Sequence, residues 1–252
     1  MRPTGILLVI VAGATWGAAC SSGGDVGAID ADVAVEPGGL AEGRLDVDGA
    51  TVDYVSVAPV GFSLGDTAPV LLAFPPGAQD LDLTRSVVEQ TYLTEATERG
   101  WVVFSPAAPV GEPLWYEEPA TLVPAILDWI ETWVQPEGGT VHVAGVSNGG
   151  LSTFAVAALV PDRVQSLLVF PGFPRGDEAR AALPELVDVP VRMFVGANDT
   201  GWVEPMQATY DTLIDLGADV TLDTVANEDH IIDSLRDGVR IFDELDANRS
   251  VG

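Results

Sequence analysis

The chain has 252 residues and carries 38 acidic side chains against 11 basic ones, so its formal net charge at pH 7 is −27. A protein this acidic repels nucleic acids and anionic lipid headgroups, which excludes both as partners of the folded domain. Apolar residues make up 47% of the chain, enough for one sizeable core, and the single cysteine excludes an internal disulfide or a cysteine-cluster metal site. The two histidines, His142 and His230, lack the spacing of a metal-binding pair, so we expect no metal.

The N-terminus has the pattern of a targeting segment. Met1-Arg2 gives a positive start, and residues 5–14 form an apolar run that is too short for a comfortable membrane span. Small residues then lead to Cys20, a pattern that resembles a bacterial lipoprotein signal, in which the cysteine becomes the lipidated first residue. The alternative is an ordinary secretory signal with a chance cysteine. We predict a signal peptide over 1–19, a flexible linker over 20–41, rich in Gly, Ala and Asp, and a single domain over 42–252.

Within the domain, strand patterns alternate with helix patterns. Two runs of alternating polarity flank Asp48-Gly49, a pair suited to a tight turn, and predict a β-hairpin over 44–57. The other predicted strands are 70–74, 101–106, 141–144, 164–170, 191–195 and 220–225. The predicted helices are 83–99, 120–134, 150–160, 203–216 and one that follows the loop 226–230 and runs to about residue 245, with a loop and a short helix over 171–189. This order predicts an α/β fold with a mostly parallel central sheet, helices on both faces and an N-terminal antiparallel hairpin.

A serine stands where the strand 141–144 turns into the helix that follows it. The sequence there is Gly145-Val146-Ser147-Asn148-Gly149, a Gly-x-Ser-x-Gly pattern. A serine at such a sharp turn presents its hydroxyl above the sheet edge, and the glycines avoid collisions between a Cβ and the neighbouring backbone. The N–H groups of the following helix point to where an oxyanion would form. The pattern predicts Ser147 as a nucleophile.

An acid and a histidine follow Ser147 in the chain, each just after a predicted strand. The order serine, Asp199, His230 predicts a triad, in which His230 takes the serine proton and Asp199 orients the imidazole. Glu204 on the next helix and Asp229 beside the histidine are the alternative acids. His142 is the alternative base, but its place inside a strand favours packing. In parallel sheets the reactive groups gather in loops beyond the carboxyl ends of the strands, which is where these residues stand.

Oxyanion donors are expected from the turn after Ser147 and from the loop after strand 70–74. The backbone N–H of Asn148 is one predicted donor. Pro75 and Pro76 have no N–H, so Gly77 or Ala78 must supply the other, and we favour Gly77. Gln79 either holds this loop or faces solvent.

Taken together, the hairpin, the oxyanion loop, the Gly145–Gly150 turn and the loops of Asp199 and His230 resemble α/β-hydrolases. The resemblance is to the polyhydroxybutyrate-depolymerase and feruloyl-esterase-like group, with the phospholipase/carboxylesterase group second, and it covers roughly residues 42–246. It implies the α/β-hydrolase fold and serine esterase chemistry without a cofactor. Two features depart from the group: Pro75-Pro76 replaces its usual His-Gly, and its disulfides are missing.

These observations lead to an expected function. We expect an exported serine hydrolase that cleaves carboxylic esters, of a small molecule or a polymer, and that touches a membrane only through a lipid at Cys20, facing the periplasm or the cell exterior. A serine peptidase of the same fold is one alternative, and a non-catalytic surface lipoprotein that binds a ligand is another. Four aromatic residues in loops are candidates to line the substrate pocket or to pack in the core: Trp115, Tyr116, Phe173 and Trp202.

Overall fold

The computed structural model describes residues 33–249, so the predicted signal peptide and Cys20 lie outside the described residues. The strands of this region are β1 (Gly39–Val47), β2 (Ala50–Ala58), β3 (Thr67–Ala68), β4 (Val70–Phe74), β5 (Val102–Pro106), β6 (Gln135–Pro136), β7 (Val141–Gly145), β8 (Val164–Val169), β9 (Val191–Gly196) and β10 (Val220–Val225). Eight of them form one sheet in the order β1-β2-β5-β4-β7-β8-β9-β10, and β3 pairs separately with β6. β1, β2 and β5 pair antiparallel, and every other neighbouring pair is parallel. The predicted mostly parallel sheet is confirmed.

The helices are α1 (Leu81–Val87), α2 (Leu93–Arg99), α3 (Val123–Ile130), α4 (Asn148–Leu159), α5 (Gly176–Ala181), α6 (Thr200–Leu216) and α7 (Val239–Ala247). A π-helical turn over Val88–Tyr92 joins α1 to α2, and single 3₁₀ segments lie at Glu118–Leu122, Glu137–Gly139, Pro161–Arg163, Leu183–Leu186 and Asp233–Leu235. None of the helices within residues 33–249 has the length and apolar character needed to cross a membrane.

Helices cover both faces of the sheet. Successive residues of a strand point to opposite faces, so an apolar strand offers side chains to the helices on each side. In β4, Leu72 belongs to the apolar cluster under α3, α4 and α6, whereas Leu71 and Ala73 belong to the cluster under α1, α2 and α7. Every residue of β4, β5 and β7 is buried, as expected for strands that are covered on both sides. Helices on both faces therefore fix the end of the sheet from which the loops after β4, β7, β9 and β10 leave.

The hairpin is confirmed and is longer than predicted. Asp48 and Gly49 both have positive φ angles, 49° and 83°, as a tight hairpin turn requires. β1 begins at Gly39, which lies inside the predicted linker 20–41, and the chain before it is also attached: Ser56 Oγ donates to the carbonyl of Ala34 at 2.6 Å. The folded part of the chain therefore begins before residue 42, where the sequence analysis places the boundary.

Three predicted helices differ from the structure. The helix predicted over 83–99 contains the π-helical turn, and the one predicted over 120–134 is α-helical only over Val123–Ile130. The prediction that a helix directly follows the loop 226–230 is wrong, because α7 begins only at Val239. Gly238, the residue before α7, has φ 78°, and a Cβ there would lie 1.9 Å from the carbonyl oxygen of Thr91. This contact with a distant part of the chain sets where the last helix starts.

Candidate active site

Ser147 stands between the end of β7 and the start of α4, with backbone angles φ 58° and ψ −120°. A positive φ is strained for a residue with a side chain and persists only where its surroundings enforce it. Here a Cβ at Gly149 would lie 2.0 Å from the carbonyl oxygen of Phe74, and one at Gly145 would lie 2.2 Å from that of Gly149. The Ser147 N–H also donates to the carbonyl of Pro171 at 2.8 Å. Close backbone packing therefore holds the turn that presents the serine.

Two hydrogen bonds join the predicted nucleophile, base and acid. Ser147 Oγ lies 2.8 Å from His230 Nε2, and His230 Nδ1 lies 2.6 Å from Asp199 Oδ2. Because an ionised carboxylate only accepts, the Nδ1–H donates to Asp199, which leaves Nε2 of the neutral ring as the acceptor for the serine hydroxyl. The Asp199 side chain is 11% exposed and that of His230 is 36% exposed. The acid is thus shielded while the base remains accessible.

The loops that carry the acid and the base are packed against each other. They follow the parallel strands β9 and β10, which are neighbours in the sheet. The Asn198 N–H donates to the carbonyl of Glu228 at 2.9 Å, and a Cβ at Gly196 would lie 2.1 Å from the carbonyl oxygen of Asp229. The sheet order and this close approach bring Asp199 and His230 together although they are 31 residues apart.

The alternative acids stand elsewhere. Glu204 and Asp229 are both exposed, and neither is hydrogen-bonded or ion-paired to His230. The alternative base, His142, is buried inside β7, where its Nδ1 lies 2.7 Å from Ser166 Oγ. Burial and, to a smaller extent, the nearby Arg249 guanidinium lower the pKa of His142 to about 4, against a weaker opposing effect of the Asp246 carboxylate. His142 is therefore a neutral core residue, as its place in a strand predicts.

The loop after β4 is fastened beside the serine turn. The side-chain amide of Asn148 donates to the carbonyl of Gly77 at 2.8 Å, and Gly77 has φ 59°. Asn148 is the first residue of α4, so its backbone N–H has no partner within the helix. The structure thus brings the predicted oxyanion donors, Asn148 and the Gly77-Ala78 segment, together at the N-terminus of α4.

Gln79 holds this loop from inside, which decides between the two roles that the sequence left open. Its side chain is completely buried, and its Nε2 donates to the carbonyl of Pro75 at 2.9 Å and to Ser152 Oγ at 3.0 Å. Its Oε1 accepts from the backbone N–H of Trp115 at 2.9 Å. The φ angle of Gln79 is 55°, so its backbone is also in the left-handed region. Gln79 therefore links the oxyanion loop, α4 and the loop after β5.

Solved structures of several hydrolases are similar to this one. An esterase from an Arctic intertidal metagenomic library, described as cold-adapted, is 20% identical, with a TM-score of 0.65 over 84% of this chain and 95% of that chain. An S-formylglutathione hydrolase from Agrobacterium tumefaciens is 16% identical, with a TM-score of 0.66 over 87% and 98%. An α/β serine hydrolase without a lid from Xanthomonas campestris is 20% identical, with a TM-score of 0.58 over 85% and 95%. The chain has the α/β-hydrolase fold. No protein-family model matches the sequence, and no curated protein matches it.

One of the four loop aromatics packs on the base, and a second packs on the first. The ring centroid of Trp202 lies 4.9 Å from that of His230, and the Phe173 ring lies 5.0 Å from Trp202. Tyr116 accepts a hydrogen bond from Arg175 Nη1 at 2.9 Å. Trp115 differs from the pocket prediction: it is fully buried and packs on Phe74 at 5.8 Å, so it belongs to the core. Arg175 carries no motif, and the sequence analysis missed it.

An apolar cleft of about 220 Å³ is lined in part by residues that are neighbours of Ser147 and His230 in the chain. Val146, Ile231 and Ile232, which adjoin Ser147 and His230 in the chain, line it, together with Pro76 of the oxyanion loop. The opposite wall comes from α1 and the π-helical turn, a rare conformation that is frequent at functional sites. Sequence patterns gave no sign of this cleft, because its walls come from four separate parts of the chain.

Between residues 33 and 249, no three His, Cys, Asp or Glu side chains are grouped so that they could hold a metal ion.

Proposed function

We propose that this protein is a serine hydrolase of carboxylic esters, with Ser147 as nucleophile, His230 as general base and Asp199 as the orienting acid. The observation that carries the proposal is the continuous pair of hydrogen bonds from Ser147 Oγ through His230 to Asp199, at 2.8 Å and 2.6 Å. The strained serine at the N-terminus of a helix and the similarity to solved esterases support it.

In the acylation step, Ser147 Oγ attacks the ester carbonyl carbon while its proton passes to His230 Nε2. The carbonyl oxygen becomes an oxyanion, which accepts hydrogen bonds from the backbone N–H of Asn148 and from the Gly77-Ala78 segment. The oxyanion then collapses, the bond to the leaving oxygen breaks, and the imidazolium gives its proton to the departing alcohol. Asp199 stabilises the imidazolium between these two transfers.

In the deacylation step, a water molecule takes the place of the alcohol. His230 Nε2 accepts a proton from that water as its oxygen attacks the acyl carbon. The second tetrahedral intermediate collapses, the bond from the carbon to Ser147 Oγ breaks, and the imidazolium returns the proton to the serine. The product is a free carboxylic acid, and the enzyme is restored.

Two observations favour small or chain-like esters over peptides. The apolar cleft beside Val146 and Ile232 suits an acyl group, because it offers an aliphatic wall with few polar groups. The chain between β8 and β9, which holds α5 and the 3₁₀ segment Leu183–Leu186, is too short to form a separate domain that would read a peptide. The peptidase and the non-catalytic lipoprotein stay as alternatives that the first experiment separates.

The test is labelling with a fluorophosphonate, followed by hydrolysis of short p-nitrophenyl esters. We expect one covalent adduct per chain on the domain, its complete loss in Ser147→Ala, and its retention in Ser234→Ala. Ser234 is an exposed serine in the same loop region as His230, so it is a matched control. An unlabelled parent would contradict the proposal and favour the non-catalytic alternative. Labelling that survives Ser147→Ala would contradict the assignment of Ser147 as the nucleophile. Cleavage of peptide p-nitroanilides in preference to the esters would favour the peptidase.

The resemblance to the polyhydroxybutyrate-depolymerase group leads us to propose a polymeric ester as one candidate substrate. Incubation with amorphous polyhydroxybutyrate tests this, with soluble hydroxybutyrate as the readout and Ser147→Ala as the blank. Hydrolysis of short esters without release from the polymer would limit the substrate to small molecules.

We also propose that the protein is exported and held at a membrane by a lipid on Cys20. The small residues before Cys20 and the positive start of the chain support this. Expression of the full chain in a bacterium with labelled palmitate should label the parent and not Cys20→Ser. Equal labelling of the two would overturn the anchor.

A further inference from the structure

Among residues 33–249, no acidic side chain pairs with Arg175, although the protein is strongly acidic. Ten of the eleven arginines lie within residues 33–249, and nine of these ten are ion-paired with an Asp or Glu side chain. Arg175 is exposed and is the one arginine in that part of the chain for which no carboxylate lies within ion-pairing distance. Its charge is therefore uncompensated in a chain with a net charge of −27.

The surroundings of Arg175 keep it available. The nearest acidic residue along the chain, Asp177, is held by Arg180 at 2.7 Å. The side chain of Arg175 is instead fixed by a neutral group: its Nη1 donates to the Tyr116 hydroxyl at 2.9 Å, and its Cζ lies 5.1 Å from the centre of the Tyr116 ring. A guanidinium has five N–H donors in a planar fork. One donor is used here, and the others remain free for a ligand.

The segment that carries Arg175 starts at the serine turn. The carbonyl of Pro171 accepts the Ser147 N–H at 2.8 Å, and a Cβ at Gly150 would lie 2.2 Å from that same carbonyl oxygen. Phe173 packs on Trp202, which packs on His230. The residues just before Arg175 are therefore in contact with both the nucleophile turn and the aromatic wall of the base.

Tyr116, the partner of Arg175, belongs to the opposite side of the site. Tyr116 follows Trp115, whose backbone N–H donates to the Gln79 side chain that holds the oxyanion loop. The bond from Arg175 to Tyr116 thus connects the loop after β8 to the loop after β5, beside the reacting groups.

We propose that Arg175, oriented by Tyr116, binds a free carboxylate carried by the ester substrate. The inference rests on the proposed esterase function and names its substrate class: esters that bear one carboxylate. A guanidinium fork matches a carboxylate with two parallel hydrogen bonds, and such charge-assisted bonds are among the stronger ones at protein surfaces. Because the protein as a whole repels anions, a cation without an acidic partner, in the loop that contacts the serine turn, favours binding of an anionic substrate there.

The kinetic test compares matched charged and neutral esters. Monoethyl glutarate and ethyl pentanoate differ in a carboxylate on the acyl side, and 4-acetoxybenzoate and 4-methylphenyl acetate differ in one on the alcohol side. In Arg175→Gln we expect kcat/KM to fall about tenfold for one charged ester, mostly through KM, and less than twofold for both neutral esters. The charged ester that responds shows on which side the carboxylate lies.

Arg44→Gln is the matched control, because it removes the same charge from an exposed arginine of β1 that is ion-paired with Asp53. We expect it to leave the ratio between charged and neutral esters unchanged. A parallel fall for charged and neutral esters in Arg175→Gln, no fall at all, or an equal effect of Arg44→Gln would overturn the carboxylate site.

A binding measurement separates this inference from the proposed function. Monoethyl glutarate and 4-acetoxybenzoate are titrated into Ser147→Ala and into Ser147→Ala with Arg175→Gln, with calorimetry as the readout. Binding of either ester that is lost with Arg175 supports the carboxylate site, even where the parent hydrolyses no ester. Equal binding by the two proteins, or no binding by either, overturns the carboxylate site and leaves the hydrolase proposal to its own test.

Discussion

The side-chain oxygen of Gln79 accepts a hydrogen bond from the backbone N–H of Trp115, and through this bond the oxyanion loop is joined to the loop after β5. The same side chain donates to the carbonyl of Pro75 and to Ser152 Oγ on α4. A loop that begins with Pro75-Pro76 has two fewer N–H groups with which to fix itself. The buried amide of Gln79 makes up for them, because it satisfies backbone groups on both sides of the loop.

We predict that Gln79→Leu destabilises the protein and lowers its activity. Leucine has a similar size but leaves the Trp115 N–H, the Pro75 carbonyl and Ser152 Oγ without their partner, and each buried unsatisfied group costs about 1–3 kcal/mol. Urea unfolding should show a loss of about 3 kcal/mol or more, and ester hydrolysis should fall because Gly77 is no longer held. Ser152→Ala, which removes only one of these contacts, should have a smaller effect. If Gln79→Leu has a free energy of unfolding and a rate of ester hydrolysis close to the parent values, the role of the amide is contradicted.

We predict that Asp199→Asn lowers kcat by roughly four orders of magnitude, because an amide can donate to His230 Nδ1 and so stabilise the wrong tautomer. The Oδ2 of Asp199 lies 2.6 Å from that nitrogen, so the substitution acts directly on the base. KM should change little, since Asp199 does not touch substrate in the proposed mechanism. Glu204→Gln, on the exposed side of α6, is the control and should keep normal turnover. Near-normal turnover of Asp199→Asn would assign the acid elsewhere.

Sequence patterns predicted those parts of the fold that depend on local backbone conformation. Asp48-Gly49 indicated the hairpin because both residues accept a positive φ. The glycines at 145 and 149 indicated the serine turn because a Cβ at either position would collide with backbone atoms, those of Gly149 and of Phe74 respectively. His230 and Asp199 were predicted from their order after successive strands, and the structure brings them within hydrogen-bond distance. In each case the signal lies within a few residues of the feature.

What the sequence did not reveal depends on contacts between distant parts of the chain. α7 begins only after Gly238, which packs closely against the carbonyl of Thr91, about 150 residues away. The burial of Gln79 depends on Trp115, and the free charge of Arg175 could be recognised only once the ion pairs of the other arginines were known. No period or motif encodes such relationships.

We predict that Gly149→Ala prevents the serine turn from closing. Its Cβ would lie 2.0 Å from the carbonyl oxygen of Phe74, so β4 and α4 would have to move apart. Overpacking of a tight core typically costs about 1–3 kcal/mol, and a backbone clash belongs at the upper end of that range or beyond. Thermal unfolding and fluorophosphonate labelling measure the two consequences, lower stability and loss of the reactive serine.

Gly201→Ala is the control for this substitution. Gly201 lies in the first turn of α6, close in sequence to Asp199, and a Cβ there meets nothing within 4 Å. Alanine should therefore be neutral or stabilising by about 0.5–1 kcal/mol, since it suits a helix better than glycine. Equal losses in the two variants would show that the serine turn tolerates a Cβ as well as an open position does.

We predict that His142 makes the protein less stable as the pH falls from 7 to 5. Burial lowers the pKa of His142 to about 4 from its usual 6.5, so in this interval the unfolded chain takes up a proton that the folded chain does not. The unfolded state then binds more protons, and the free energy of unfolding falls with falling pH, by about 2 kcal/mol between pH 7 and pH 5. Above pH 7 both states are neutral at this residue, and its contribution is constant. His142→Asn keeps a partner for Ser166 Oγ but does not titrate. The free energies of unfolding in urea are measured for both proteins at each pH. Their difference isolates the contribution of the imidazole, because the many carboxylates are common to both. A constant difference across this pH interval would show that His142 is as easily protonated in the folded protein as in the unfolded chain.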